Sequence, residues 1–319
     1  MRYSSPINDP IAQFLAQQPL MILDGALATE LERRGADLHD PLWSARVLLE
    51  QPEQIRAVHR DYFEAGADVA ITASYQATFA ALARRGIEAG AACEVLRAAT
   101  VLAIEARDEF WSARRRPGRL RPLIAASVGP YGAMLADGSE YRGRYAIDEA
   151  ELVRFHRARL EVLAQSGADV LACETIPSLR EALVLARLVT EHAPITAWIS
   201  FACRDGASTA EGQAIGECAA RLDAFERIVA VGLNCTAPEY VPALLQRMRE
   251  HTGKPLLAYP NSGERYDAAA GRWLGTNAAT PFAGQAGAWR DAGARLIGGC
   301  CRTTPGDIRA LRAALLPCA

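Results

Sequence analysis

The sequence predicts an α/β protein built as a single (β/α)8 barrel, the TIM-barrel arrangement, and three observations carry that prediction. Eight short apolar runs rich in Val, Ile, Leu and Ala recur along the 319 residues, with helical segments between them. Each run is continuously apolar instead of alternating, as strands buried on both faces of a parallel sheet are. Three runs share one entry pattern, a glycine that closes a helix with the strand following at once: AGADVAITAS at 65–74, SGADVLACET at 166–175 and AGARLIGGCC at 292–301.

In chain order the strands are expected at 21–26 (MILDGA), 69–74 (VAITAS), 123–128 (LIAASV) and 170–175 (VLACET). The other four are expected at 196–201 (TAWISF), 229–235 (VAVGLNC), 256–261 (LLAYPN) and 295–301 (RLIGGCC). Barrels of this kind run to about 250 residues. The surplus falls in an N-terminal arm at 1–19 and in long loops at 129–146 and 261–275. No Ser-, Gly- or Pro-rich linker divides the chain, so one domain spanning 1–319 is expected, and the basic stretch 114–122 reads as a solvated loop. A net charge of −2 implies no field for nucleic acid or an anionic membrane. No apolar stretch reaches the about 18 residues a spanning helix needs. The N-terminus lacks the apolar core of a secretory signal, so a cytoplasmic protein with reduced thiols is expected.

In this architecture chemistry gathers at the C-terminal strand ends. Aligning the three entry patterns puts Ala73, Glu174 and Cys300 at one depth, with Ser74, Thr175 and Cys301 one step further. Neighbouring side chains of a regular strand point to opposite faces, so Cys300 and Cys301 reach one place only if the backbone bends. Gly298 and Gly299 are expected to free it from β geometry. Cys235 closes VAVGLNC at the corresponding rim. Three thiolates there make a soft site for Zn²⁺ with its fourth position open, the mark of a catalytic zinc. The alternatives are a vicinal disulfide or chance pair at 300–301 and a plain core residue at 235. Cys93, Cys173, Cys203 and Cys218 lie in apolar or helical settings and read as packing residues; Cys318 reads as incidental.

At these residues the chain resembles the homocysteine S-methyltransferase family over nearly its whole length. The likeness runs through LDGALATELERRG (23–35), ITASYQAT (71–78), SVGPYGAMLADGSEYRG (127–143), ACETIPS (172–178), GLNC (232–235), YPNSGERYD (259–267) and GARLIGGCCRTTP (293–305). It implies a zinc-dependent barrel whose metal ligands are Cys235, Cys300 and Cys301. DGSEYRG and YPNSGERYD resemble the branch that takes its methyl group from S-methylmethionine. The implied reaction is transfer of that methyl, or less well one from S-adenosylmethionine, to homocysteine, giving methionine. Plant-type selenocysteine methyltransferases share the motifs, so a selenol or another thiol stays open as acceptor. The extra domains of the cobalamin-dependent branch and the C-terminal extension of the betaine-dependent one are not seen, and a monomer or weak homodimer is expected.

The resemblance places Asp24 and Glu174 at the homocysteine ammonium. A carboxylate closing VLACET is costly to bury without a cation, and an amino-acid ammonium supplies one. A rim arginine would be the plainer partner for Glu174, and an Asp-Gly turn the plainer reading of Asp24. Gly25 would let substrate approach the backbone, with the Gly25 and Ala26 N–H groups facing its carboxylate. Thr29 would assist or serve its helix. Ser74, Tyr75, Ser127 and Tyr131 are candidates for the donor pocket. Asn234 and Asn261 are rim residues that would orient substrate or hold zinc's open position. His59 reads as a surface or packing residue. No general acid is needed, since a neutral thioether leaves. A metal-assisted hydrolase and a non-catalytic zinc or redox sensor are the competing classes. Hydrolase sites commonly use His and carboxylate ligands, and a sensor needs no amino-acid pocket.

Overall fold

The computed structural model describes residues 7–38, 44–113, 118–192, 195–263, 265–267, 272–274 and 282–316. Cys318, residues 1–6 and parts of the 114–122 and 261–275 loops lie outside the described residues. Its strands are β1 (Met21–Ile22), β2 (Val69–Ile71), β3 (Leu123–Val128), β4 (Val170–Ile176), β5 (Ala197–Phe201), β6 (Ile228–Asn234) and β7 (Leu256–Tyr259). Then come β8 (Arg265–Asp267), β9 (Arg272–Leu274) and β10 (Ala294–Ile297). Eight of them form one parallel sheet in the order β1-β10-β7-β6-β5-β4-β3-β2. A bridge from Leu23 to Val69, with the Asp24 N–H on the Val69 carbonyl at 3.1 Å, joins β1 to β2 and closes the ring. Closure leaves no strand edge unpaired.

Every expected strand is present. β1, β2, β7 and β10 end two to four residues before their apolar runs do, because the tails DGA, TAS, PN and GGCC turn out of the ladder into the rim. The 261–275 loop is not wholly irregular: β8 and β9 pair antiparallel within it, Tyr266 opposite Trp273. Three-residue strands are too short to show a period in sequence.

Alternate side chains face inward and outward. Met21, Leu23, Val69, Ala125, Val170, Ala172, Trp198, Ala230, Leu257, Tyr259 and Leu296 form the interior cluster, where the small residues make room for Trp198. Ile22, Val128, Leu171, Cys173, Ile199, Val231, Leu233 and Ile297 pack in the outer cluster with the helices. The helix Pro10–Leu15, capped by Asp9, sends Ile11 and Phe14 into the interior cluster, so this part of the expected arm stoppers the barrel.

The repeated entry pattern has a physical role at the barrel's N-terminal end. Gly66, Gly167 and Gly293 take φ of 118°, 90° and 116°, the left-handed turn that stops each helix. The aspartate two residues after the first two glycines then stitches the ring. Asp68 accepts the Ile22 N–H at 3.0 Å and pairs with Arg312 at 2.8 Å. Asp169 accepts the Ile124 N–H at 2.7 Å and pairs with Arg107 at 3.1 Å. Arg295, in the third repeat, donates to the Pro19 carbonyl at 2.7 Å. These contacts belong to stability and leave the opposite rim free for chemistry.

His59, in the helix Pro52–Ala65, is wholly buried, so it is a packing residue and not a surface one. Neither ring nitrogen has a protein partner, and burial pushes its pKa down to about 4, keeping the imidazole neutral. Among the described residues no helix is long and apolar enough to cross a membrane.

Candidate functional site

β10 ends at Ile297, so Cys300 and Cys301 lie in the turn that follows, not in a strand. The Thr303 N–H and hydroxyl both bond the Cys300 carbonyl, at 3.1 and 2.6 Å, and Arg302 takes φ of 67° to complete the turn. The bend lets two adjacent thiols face one point. The glycines before them act differently from the sequence expectation, for neither has a positive φ. They are needed for space. A Cβ on Gly298 would stand 2.5 Å from Leu23 Cβ and 2.8 Å from the Asp24 carbonyl, and one on Gly299 would stand 2.4 Å from Thr303 Oγ1. Gly298→Ala is therefore expected to push the cysteine turn off β1, weakening metal binding about tenfold or more while the far end of the barrel keeps its structure; zinc competition titration against circular dichroism checks it.

Cys235 follows β6 in a left-handed conformation, φ 47°, which swings its thiol across to the same point. The Cys235 and Cys301 sulfurs are 4.0 Å apart, as are those of Cys300 and Cys301, and all three lie within 4.8 Å of one another. All three are free half-buried thiols, and no disulfide joins 300 to 301. Hydrogen bonds from Cys300 and Cys301, then from Thr175 and Tyr141, hold the Cys235 thiol well below its ordinary pKa; the hydrogen bond each makes to Cys235, then burial and the Cys235 charge, hold Cys300 and Cys301 well above theirs. Three soft sulfurs at this spacing, one of them held toward ionisation, make a cluster that binds a metal through three protein ligands.

Two carboxylates stand beside the sulfurs. Glu174, in β4, is 7% exposed and accepts from the Ser127 hydroxyl, with the Tyr259 hydroxyl close by. Burial, aided by the charge of Cys235, raises its pKa to about 7. Asp24, 3% exposed, accepts the Ile71 N–H at 2.8 Å. Burial and the charge of Glu174 push it well above the usual carboxylate range. Neither acid forms an ion pair with an arginine, lysine or histidine among the described residues. The site thus presents two buried carboxylates with hydrogen bonds to their oxygens and no cation.

The other expected residues divide. Ser127 binds Glu174 directly. Ser74 is wholly buried, donating to the Ser127 carbonyl at 2.8 Å and meeting Thr72 Oγ1 at 2.8 Å, so it braces β3. Tyr75 lies half-buried against Gly129, its hydroxyl in hydrogen-bond reach of Thr175. Gly25 is tightly enclosed, since a Cβ there would meet Thr303 and Tyr62 at 2.8–2.9 Å. The Ala26 N–H bonds Thr303 Oγ1 at 3.3 Å, and Thr29 accepts the Arg302 N–H at 3.1 Å. The Asn234 carboxamide is spent inside the protein, on Thr175 and Ser200. Asn261 differs: its Oδ1 is buried without a protein partner, and its neighbours Pro260 and Ser262 bond the backbone of Cys300 and Cys301. Tyr131 donates its N–H to Glu181 at 2.6 Å behind the rim.

Sequence reasoning missed Ser200, Tyr259 and Tyr141, and placed Thr175 at the rim without giving it a role. Thr175 and Tyr259 lay beside residues already singled out, within ACETIPS and YPN, but nothing in a linear pattern marks which neighbour folds back. Tyr141, 38% exposed, ends the short turn Ser139–Tyr141 in the loop after β3. That loop is clasped from the β5 side by Glu211, which accepts the Arg144 N–H at 2.6 Å.

Comparison with known proteins agrees with the geometry. The family model described as homocysteine S-methyltransferase matches residues 21–315. A Bacillus subtilis (strain 168) relative named homocysteine S-methyltransferase YbgG is 51% identical over 306 residues, covering 96% of this chain and 97% of its own. A selenocysteine Se-methyltransferase of Brassica oleracea var. italica is 47% identical, covering 92% of this chain and 88% of its own. The crystal structure of the Escherichia coli homocysteine methyltransferase MmuM in its metallated form superposes with a TM-score of 0.87 at 45% identity, covering 96% of this chain and 99% of the other. A sulfur cluster at the mouth of a closed barrel, matched along nearly its entire length, leaves one conclusion: this chain belongs to the homocysteine S-methyltransferase family.

Proposed function

We propose that this protein transfers a methyl group from S-methylmethionine, and less well from S-adenosylmethionine, to homocysteine, giving methionine, with zinc held by Cys235, Cys300 and Cys301. The observation that carries the reading is the pairing of three converging thiols with two buried, cation-free carboxylates at one rim. The donor set fits the metal, since three soft sulfurs within 4.8 Å suit Zn²⁺ and leave a position for a substrate sulfur. A metal held by these three sulfurs would supply a lowered pKa to a substrate thiol, otherwise roughly 8.5, and so a nucleophilic thiolate at neutral pH.

The chain's own residues do the rest. Glu174 and Asp24 receive the α-ammonium of homocysteine, whose charge offsets the cost of burying two acids together. Ser127 holds Glu174 in place by donating to it. The Asn261 Oδ1, buried and unpartnered, would be available to hold the metal or orient substrate beside the cysteine turn. The loop at 129–146 brings Tyr141 beside Cys235, where it would roof the donor and exclude water. A sulfonium suits it, being cationic against an anionic site and leaving as a neutral thioether without a general acid. Alignment of donor methyl and acceptor sulfur supplies much of the rate. The need for reduced thiols fits a cytoplasmic setting.

Initial rates with homocysteine saturating and each donor varied test the donor. S-methylmethionine is expected to give a catalytic efficiency about tenfold or more above S-adenosylmethionine. Higher efficiency with betaine or methyltetrahydrofolate would refute the assignment. A selenol acceptor is the second reading, favoured by the Brassica relative's name and likeness; competition between homocysteine and selenocysteine for one donor decides it.

A further inference from the structure

We propose that Thr175 and Asn234 are positioning residues for Cys235: the Thr175 hydroxyl places its proton on the Cys235 sulfur, and the Asn234 carboxamide keeps it turned there. The inference rests on reading the three cysteines as the metal site.

The backbone shows that something is being held. Thr175 follows Glu174 with φ of 60°, and Cys235 follows Asn234 with φ of 47°. A β-branched residue in the left-handed region is a conformational outlier that glycine would occupy without strain, and such outliers persist only where surrounding structure imposes them. Asn234 imposes this one. It is wholly buried, and its carboxamide reaches past β5 to β4. Its Oδ1 accepts the Thr175 N–H at 2.7 Å and the Ser200 hydroxyl at 2.9 Å, while Nδ2 donates to Thr175 Oγ1 at 2.8 Å.

A threonine hydroxyl has one proton and two acceptor lone pairs. The Asn234 Nδ2 occupies one lone pair, and the Tyr75 hydroxyl is within reach of the other. The single proton is left for Cys235 Sγ, 3.8 Å from Thr175 Oγ1. Glycine would satisfy the backbone but supply no proton, which accounts for a strained threonine at this position. A donor on a ligating sulfur fixes its direction and stabilises its thiolate form, and partners of this kind are commonly worth 10–100-fold in metal affinity. The same carboxamide, through Thr175, also sets where Glu174 enters the rim. One side chain thereby keeps the metal side and the amino-acid side of the site in register.

The test uses zinc affinity by chelator competition and the thiolate-to-metal charge-transfer band of the cobalt(II)-loaded protein. Thr175→Val keeps the shape and removes the proton. It is expected to bind zinc about tenfold or more weakly and to move the cobalt band to longer wavelength, while Thr175→Ser matches the parent on both. A Thr175→Val protein with parental affinity and band overturns the proposal, and so does an equal loss in Thr175→Ser, which would make the effect one of packing. Should Thr175→Val fail to fold, Asn234→Asp decides. It keeps both acceptor bonds but offers the Thr175 hydroxyl a competing oxygen, and its added negative charge by itself favours a cation. Weaker zinc binding with the longer-wavelength band supports the proposal; unchanged values overturn it. A parent protein that binds neither zinc nor cobalt would refute the metal site itself, a result distinct from variants that bind as the parent does.

Discussion

Cys300→Ala is expected to emerge from zinc-replete preparation without stoichiometric metal and with methyl transfer lowered by about a thousandfold or more. Deprotonation accounts for part of this. A free thiol of pKa roughly 8.5 is only about 3% thiolate at pH 7, so loss of that step alone costs about 30-fold. Loss of a fixed position for the attacking sulfur removes a further, larger factor. Cys235→Ala and Cys301→Ala are expected to behave alike, because two sulfurs no longer supply the three-ligand set. The fold should survive. Cys300 is half-buried in a turn beyond the end of β10 and packs against the interior cluster, whose fully buried members, Trp198, Tyr259 and Leu296 among them, remain in place. Metal content, thermal unfolding and initial rate on the same samples check the three parts. Full zinc and full activity in Cys300→Ala would remove the site from this rim.

Glu174→Gln is expected to raise the KM for homocysteine about 10- to 100-fold, with zinc retained and the donor KM little changed. The magnitude follows from one charge-assisted hydrogen bond of ~1.5–3 kcal/mol to a buried ammonium. Gln keeps the volume and its Oε1 still accepts from Ser127, so the pocket retains its shape. Without substrate the variant should be no less stable than the parent, and its melting temperature should stay or rise. The parent buries two carboxylates, Glu174 raised by burial and Asp24 by burial and the Glu174 charge, and a neutral amide at 174 removes one unfavourable charge. Asp24→Asn should show the same direction. Unchanged homocysteine KM in both variants would return these residues to structural roles.

The eight strands and their order were legible because parallel strands buried on both faces leave continuous apolar runs, and buried composition survives in one dimension. The rim was legible as well, since chemistry in a barrel must sit where polar residues end those runs. Glu174, Cys235, Cys300 and Cys301 are such residues, and they could be named from position and type. What they do to one another was not legible. The glycines of GGCC were expected to bend the backbone, yet they keep negative φ and serve close approach to Leu23, Asp24 and Thr303, residues that belong to the other end of the chain or to the turn itself. The bend comes instead at Arg302, Cys235 and Thr175, residue types that announce no left-handed conformation. Ser74 and Asn234 looked equal to Ser127 and Asn261 as rim polar groups. Ring closure ties the first pair to neighbouring strands and leaves Ser127 on Glu174 and the Asn261 oxygen without a protein partner. The sequence by itself determined the barrel, the rim and the three cysteines that cluster there, because these follow from hydrophobicity, chain order and residue chemistry. Only the tertiary structure decided which polar atoms are already satisfied, because a hydrogen bond spanning β4, β5 and β6 is a property of three separated segments brought within 3 Å by closure of the ring.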